Sequence, residues 1–281
     1  MGYSYPNVLA ASRGLLLDVC ERLTALRTNY VIVGGWVPYL RANHETLRHP
    51  GTKDVDVLLN DDKELLQLSV RALLDAGYLL SAKHPFQLLR TLTIKGDDGE
   101  QEFVFNVDLM HPSEGAAKPD MFADILELNI AENYDPQKIA IKSIVFPSSL
   151  IVFEEKMWSD FALQATFPQG GDGKANIPLL DEVGLVLSKC ESVSKKKRER
   201  DAYDIYYVLT AQNGAAVAAA LRALSEQFPQ VETQLGLLNN CLSKDGGKEF
   251  HINAMKYISS DLHLDRRPAD EVLRLLFNDS R

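Results

Sequence analysis

The chain has 281 residues, 46% apolar and 25% charged, which suits a packed core in one large domain or two and excludes compositional disorder. Its 30 Lys and Arg against 39 Asp and Glu leave a formal charge of -9, which excludes a uniformly basic nucleic-acid surface but not a local basic patch. Three scattered cysteines (Cys20, Cys190, Cys241) with no CxxC pair argue against structural zinc or a disulfide framework. The lack of a long apolar run or leader pattern points to a cytoplasmic protein with no membrane partner.

Apolar residues at helical spacing predict a helix over 6–28 (Val8, Leu9, Leu15, Leu16, Val19, Leu23, Leu26). The short apolar run 30–33 reads as a buried strand ended by the Gly34-Gly35 turn, and Trp36 to Arg41 as a helix with Pro38 in its first turn. Residues 44–52 form a loop. Lys53 to Leu59 is a strand with Val55, Val57 and Leu59 on one face and Asp54, Asp56 and Leu58 on the other. An amphipathic helix over 62–77 follows, then strands 86–95 and 102–110 around the turn 96–99, with Asp108 on the polar face of the second. After a loop at 111–120, the stretch 121–165 alternates strand-like runs (139–146, 150–153) with polar turns, and 168–176 reads as a linker. Helices are expected at 182–193, capped by Asp181, and at 200–211, 214–227, 231–242, 248–259 and 268–277. The expectation is an α+β fold: a mixed-sheet core over 1–167, then a mainly helical domain over 177–281.

Two aspartates at i and i+2 on a strand project from one face and repel unless a cation lies between them. Magnesium prefers carboxylate oxygens plus substrate phosphates, and a third carboxylate from a neighbouring strand, Asp108, would complete a two-metal clamp for in-line displacement. The Gly34-Gly35 turn before a helix lets backbone amides approach phosphate oxygens. Taken singly, a Gly-Gly pair is usually a turn and an Asp-x-Asp a solvated strand face. The order of apolar run, Gly-Gly, helix and Asp-x-Asp inside an apolar strand favours a nucleoside triphosphate held beside one or two magnesium ions.

These residues, Val33-Gly34-Gly35-Trp36, Thr52-Lys53-Asp54-Val55-Asp56 and Asn106-Val107-Asp108, resemble the DNA polymerase β-like nucleotidyltransferase superfamily. Residues 177–189, ending in Lys189, and the Arg200-Asp201-Ala202-Tyr203-Asp204 block resemble the AbiEii-type toxin nucleotidyltransferases. The resemblance spans roughly residues 30–210. It implies a polymerase β-like core, with Asp54, Asp56 and Asp108 as metal ligands and Gly34, Gly35, Lys189 and Asp201 as nucleotide contacts. It also implies a catalytic part for Asp204, and a bacterial toxin that transfers NMP to a tRNA or other RNA 3′ end and has a cognate antitoxin. The family's arginine two residues before the threonine is replaced by Pro50, with Arg48 two residues earlier, and that loop is about two residues longer. Rival readings are transfer to a small molecule or protein, and a nucleotide-binding protein without catalysis.

Composition alone would let Lys189 snorkel to solvent or reach a ligand. Asp201 and Asp204 share a helix face. Asp201 suits the helix N-terminus, whereas Asp204, between Tyr203 and Ile205, is expected to be buried and to need Lys189 or Arg200 as its partner. The run 195–200 is either a solvated helix start or a guide for RNA phosphates. His44 and His49 read as loop residues, and Tyr203, Tyr206 and Tyr207 as core rather than as a base-stacking surface.

Overall fold

The computed structural model describes residues 2–60, 63–81, 87–97, 99–112, 126–128, 139–141, 144–146, 150–195 and 198–278. The fold is α+β, with a mixed sheet and a helical C-terminal region. The chain divides into two compact units that are not collinear with the sequence: residues 1–34 with 52–179, and residues 35–51 with 180–281.

The first unit is built on a nine-stranded sheet. Its strands are β1 (Ser4–Tyr5), β2 (Tyr30–Val33), β3 (Val55–Leu59), β4 (Leu79–Leu80), β5 (Gln87–Gly96), β6 (Gly99–Pro112), β9 (Ile144–Phe146), β10 (Trp158–Thr166) and β11 (Asp172–Leu180). A separate antiparallel pair is formed by β7 (Leu126–Leu128) and β8 (Ile139–Ile141). The order across the sheet is β1-β5-β6-β3-β2-β11-β10, with β4 also on β5 and β9 also on β6. β3 runs antiparallel to β2 and parallel to β6, and β5 and β6 form a long hairpin closed at Gly96 and Gly99.

Strand burial follows the sequence. β2 is buried at all four positions, which is why its residues do not alternate. In β6, Phe105, Val107 and Leu109 are fully buried while Val104 is exposed and Asp108 lies between the extremes. α1 (Val8–Ala25) starts at Asn7, whose side chain accepts from the Ala10 amide at 2.8 Å. Its buried Asp18 accepts from the Arg22 guanidinium and from the Tyr78 hydroxyl, tying α1 to the residues that follow α3 (Lys63–Asp75). α4 (Leu150–Glu154) is a further helix of this unit.

The second unit comprises α2 (Trp36–Arg41), α5 (Glu182–Cys190), a 3-10 turn (Ser192–Ser194), α6 (Glu199–Thr210), α7 (Gly214–Gln227), α8 (Pro229–Ser243), α9 (Lys248–Met255) and α10 (Pro268–Leu273), the last running into a π-helical turn (Arg274–Asn278). α6 is buried at every residue from Asp201 to Leu209 and packs on α5, α7, α9 and α10. A helix buried all round is the centre of its bundle rather than a surface helix. Asp181 caps α5, accepting from the Gly184 amide at 2.7 Å, as its sequence position predicts.

Four expectations change. The linker at 168–176 is the turn and first half of a hairpin's second strand: Phe167 and Gly171 close the turn, and Gly170 and Gly171 have positive φ. Gly- and Asp-rich stretches signal hairpins as well as linkers, and only the pairing decides. The domain boundary falls at 179/180, and residues 35–51 join the helical unit. Residues 150–153 are helical; Leu-Ile-Val-Phe has no alternation to tell a buried helical turn from a buried strand. Lys196 and Lys197 of the basic run, and most of the 111–120 loop, lie outside the described residues. No helix among the described residues is long and apolar enough to cross a membrane.

Candidate functional site

In the sheet unit, register brings the acidic residues together. Asp56 pairs with Asp108 across the parallel β3–β6 contact, Gln87 of β5 lies on the other side of Asp108, and Val33 of β2 pairs with Asp56. Directly paired residues share a sheet face, so both carboxylates stand on the polar face, side by side. The Gln87 amide donates to Asp108 Oδ1 at 2.8 Å. Asp54 precedes β3 by one residue, at the position where the alternation returns to that face, so the strand starts one residue after it and two after the predicted Lys53.

The turn after β2 is fitted to Asp56. Gly34 has φ +71°, and a Cβ there would overlap Asp56 Oδ2. Only glycine combines that left-handed backbone with so close an approach. The start of β3 is held from α1: the fully buried Ser12 hydroxyl reaches the carbonyls of Thr52 at 2.8 Å and Lys53 at 3.0 Å. Thr52 Oγ1 in turn accepts from the Asp54 amide at 3.4 Å. Sequence spacing gave no sign of Ser12.

The oxygens of Asp54, Asp56 and Asp108 are the hard donors magnesium takes. Among the described residues, no three His, Cys, Asp or Glu side chains already converge to hold a metal ion. Asp56 and Asp108 stand side by side in register, and a cation held there would draw its remaining ligands from elsewhere, substrate phosphates and water among them.

In the helical unit, Lys189 sits in the last turn of α5 and Asp201 in the first turn of α6, each at the helix end that favours its charge. The Lys189 ammonium lies 2.5 Å from Asp201 Oδ1 and 2.9 Å from Asp204 Oδ2, and the Ser192 hydroxyl donates to Asp201 Oδ2 at 2.6 Å. Lys189 is 7% exposed and Asp204 is fully buried, so Lys189 does not snorkel. Arg200 Nε lies 3.7 Å from Asp204 Oδ2, so both partners expected for that carboxylate are present.

Burial pulls the Lys189 ammonium toward lower pKa, but Asp201 and then Asp204 outweigh it and leave it above the ordinary lysine value. For Asp204, burial acts upward; Lys189, then the His49 hydrogen bond, then Arg200 hold it well below the usual carboxylate range. The cluster is a closed set of two cations and two anions.

His49 is the residue that sequence reasoning set aside. Its Nδ1 accepts from the Gly51 amide at 3.1 Å, so the neutral ring carries its proton on Nε2, 3.0 Å from Asp204 Oδ1, and donates there. The ring lies among Tyr203 (6.1 Å), Tyr207 (5.5 Å) and Tyr39 (6.2 Å). A histidine five residues before an Asp-x-Asp gives no spacing signal for a partner 155 residues away. Tyr203, Tyr206 and Tyr207 are mostly buried, as the core reading expects.

No protein-family profile and no curated protein sequence matches the chain. Among solved structures, it is similar to one described as a candidate nucleotidyltransferase from H. pylori, at 10% identity and a TM-score of 0.41 over 95% of this chain and 91% of that one. It is also similar to JHP933 from Helicobacter pylori, at 10% identity and a TM-score of 0.40 over 96% of this chain and 90% of that one. Overlaps this loose do not assign a family.

Proposed function

We propose that the chain is a magnesium-dependent nucleotidyltransferase, moving a nucleoside monophosphate from a triphosphate to an acceptor hydroxyl. The observation that carries this reading is the Asp56–Asp108 pair, in register on adjacent parallel strands, with Asp56 against the left-handed Gly34 turn. Like charges placed side by side on a sheet cost stability, and a cation bound between them turns that cost into binding.

Asp54, Asp56 and Asp108 would hold the ion, and the amides at Gly34 and Gly35 would approach the phosphates. When bound, magnesium neutralises charge on the transferring and leaving phosphates. The acceptor oxygen bonds to the α-phosphorus as the bond from that phosphorus to the bridging oxygen breaks. Pyrophosphate leaves with the electron pair, and the hydroxyl proton passes to an Asp108 carboxylate oxygen and on to water.

The motif resemblance adds Lys189 and Asp201 as nucleotide contacts and gives Asp204 a catalytic part. In the helical unit Lys189 is buried against Asp201 and Asp204, so its part in phosphate binding rests on the motif resemblance. Within this reading the acceptor is an RNA 3′ end, with tRNA first, and the protein is the toxin of a pair with an antitoxin partner. The exposed Lys195 and Arg198 suit an RNA backbone. The net charge of -9 instead favours a small-molecule or protein acceptor.

The test is incubation with labelled triphosphates, magnesium and total RNA, in parallel with RNA-free acceptor mixtures. Labelled RNA supports the first acceptor class, and label only in the RNA-free mixtures supports the second. Triphosphate binding without turnover on any acceptor would leave a binding protein. Growth arrest on expression, relieved by a neighbouring gene, tests the toxin assignment.

A further inference from the structure

We propose that Gln87 is a positioning residue for the transfer site: its amide holds the Asp108 carboxylate in place without cancelling its charge. The proposal rests on the nucleotidyltransferase reading and adds a residue to that site. Its ground lies wholly within the sheet unit. Across β2, β3, β6 and β5 the register runs Val33, Asp56, Asp108, Gln87, so the two carboxylates have an apolar residue on one side and an amide on the other. Gln87 Nε2 donates to Asp108 Oδ1 at 2.8 Å. An ionised carboxylate can only accept, so it is the amide nitrogen that faces it.

Gln87 is itself held. Leu88, the next residue, is fully buried opposite the fully buried Val107, and that sets the side of the sheet on which Gln87 stands. The Gln87 carbonyl accepts from the Ser81 amide at 3.0 Å.

The residue type is the informative part. A lysine or arginine opposite Asp108 would serve the sheet better, because opposite charges stabilise a cross-strand pair and would relieve the repulsion from Asp56. It would also take the place of a cation. A glutamine fixes one carboxylate oxygen and leaves the negative charge for an ion. Hydrogen bonds to a ligating carboxylate set metal affinity through its orientation.

Two variants separate positioning from packing. Gln87→Met keeps the shape and removes the donor, whereas Gln87→Lys keeps a donor and adds a charge. Mn2+ binding is read by electron paramagnetic resonance with a non-hydrolysable triphosphate present, alongside kcat, KM and melting curves in metal-free buffer, for the full chain and both variants.

Gln87→Met should weaken Mn2+ binding and lower kcat by roughly ten- to a hundredfold, with KM for the triphosphate and the metal-free melting temperature little changed. Gln87→Lys should melt at or above wild type without metal and yet lose Mn2+ binding and transfer, a combination that a packing role would not produce. Wild-type Mn2+ binding and kcat in folded Gln87→Met would overturn the assignment and leave the nucleotidyltransferase reading standing. A wild-type protein that neither binds Mn2+ with triphosphate nor transfers would overturn that reading and this assignment together. If Gln87→Met does not fold, Gln87→Lys decides: normal Mn2+ binding, or melting below wild type, would overturn the assignment.

Discussion

Asp56 and Asp108 are register partners on parallel strands, and a slip of one residue would turn one of them into the core. Val55, Val57, Val107 and Leu109 fill that core and lock the register. The packing therefore holds two carboxylates side by side, an arrangement that like-charge repulsion disfavours. In metal-free buffer, Asp108→Asn should melt at or above the wild-type temperature while losing transfer. A clear drop in melting temperature would mean that the carboxylate is there for the fold.

Gly34→Ala should damage both fold and function. The left-handed backbone alone costs a non-glycine residue roughly 1–2 kcal/mol. The new Cβ would also displace the Asp56 carboxylate. Urea unfolding should show the loss, and transfer should fall further than the folded fraction does.

Lys189→Ala leaves Asp201 and Asp204 as buried charges without their main counterion, a change that costs about 3–5 kcal/mol. Thermal melting of the variant checks this. A shift within experimental error would show that Arg200, Ser192 and His49 suffice to hold the two carboxylates.

The pH dependence follows from the same cluster. The folded pKa of Asp204 is depressed, so its contribution is present above the ordinary carboxylate pKa of about 4 and is lost as pH falls through the folded value. That of Lys189 is raised, so its contribution is present below the ordinary lysine pKa and is lost as pH rises through the folded value. Unfolding free energy should drop from pH 5 toward pH 3, and Asp204→Asn should flatten that slope. An unchanged slope would contradict the buried ion pairs.

The acidic face was readable in the sequence because strand alternation is strict: Asp56 and Asp108 fell where a period of two put them. Helices α6 and α7 were readable from their apolar spacing and Asp181 from its place before an apolar run. What escaped depends on contacts between distant residues. The 168–176 stretch is a hairpin because of what it pairs with, and its glycines fit a linker equally well. Residues 35–51 join the helical unit through side chains such as His49 and Arg41, the latter bonded to the Leu180 carbonyl at 2.8 Å. Asp204 announced by its apolar neighbours that it would need partners; which ones it would take was legible only in part.

The central claim is cleavage at the α-phosphate by the Asp56–Asp108 site. Its most direct measurement follows label from α-32P- and γ-32P-labelled triphosphates with magnesium and total RNA, for wild type and Asp56→Asn. The account predicts that the α-label enters RNA and the γ-label is released as pyrophosphate. It also predicts that Asp56→Asn, melting no lower than wild type, loses at least about a hundredfold of this activity. Incorporation of the γ-label, or unchanged α-labelling by Asp56→Asn, would contradict it.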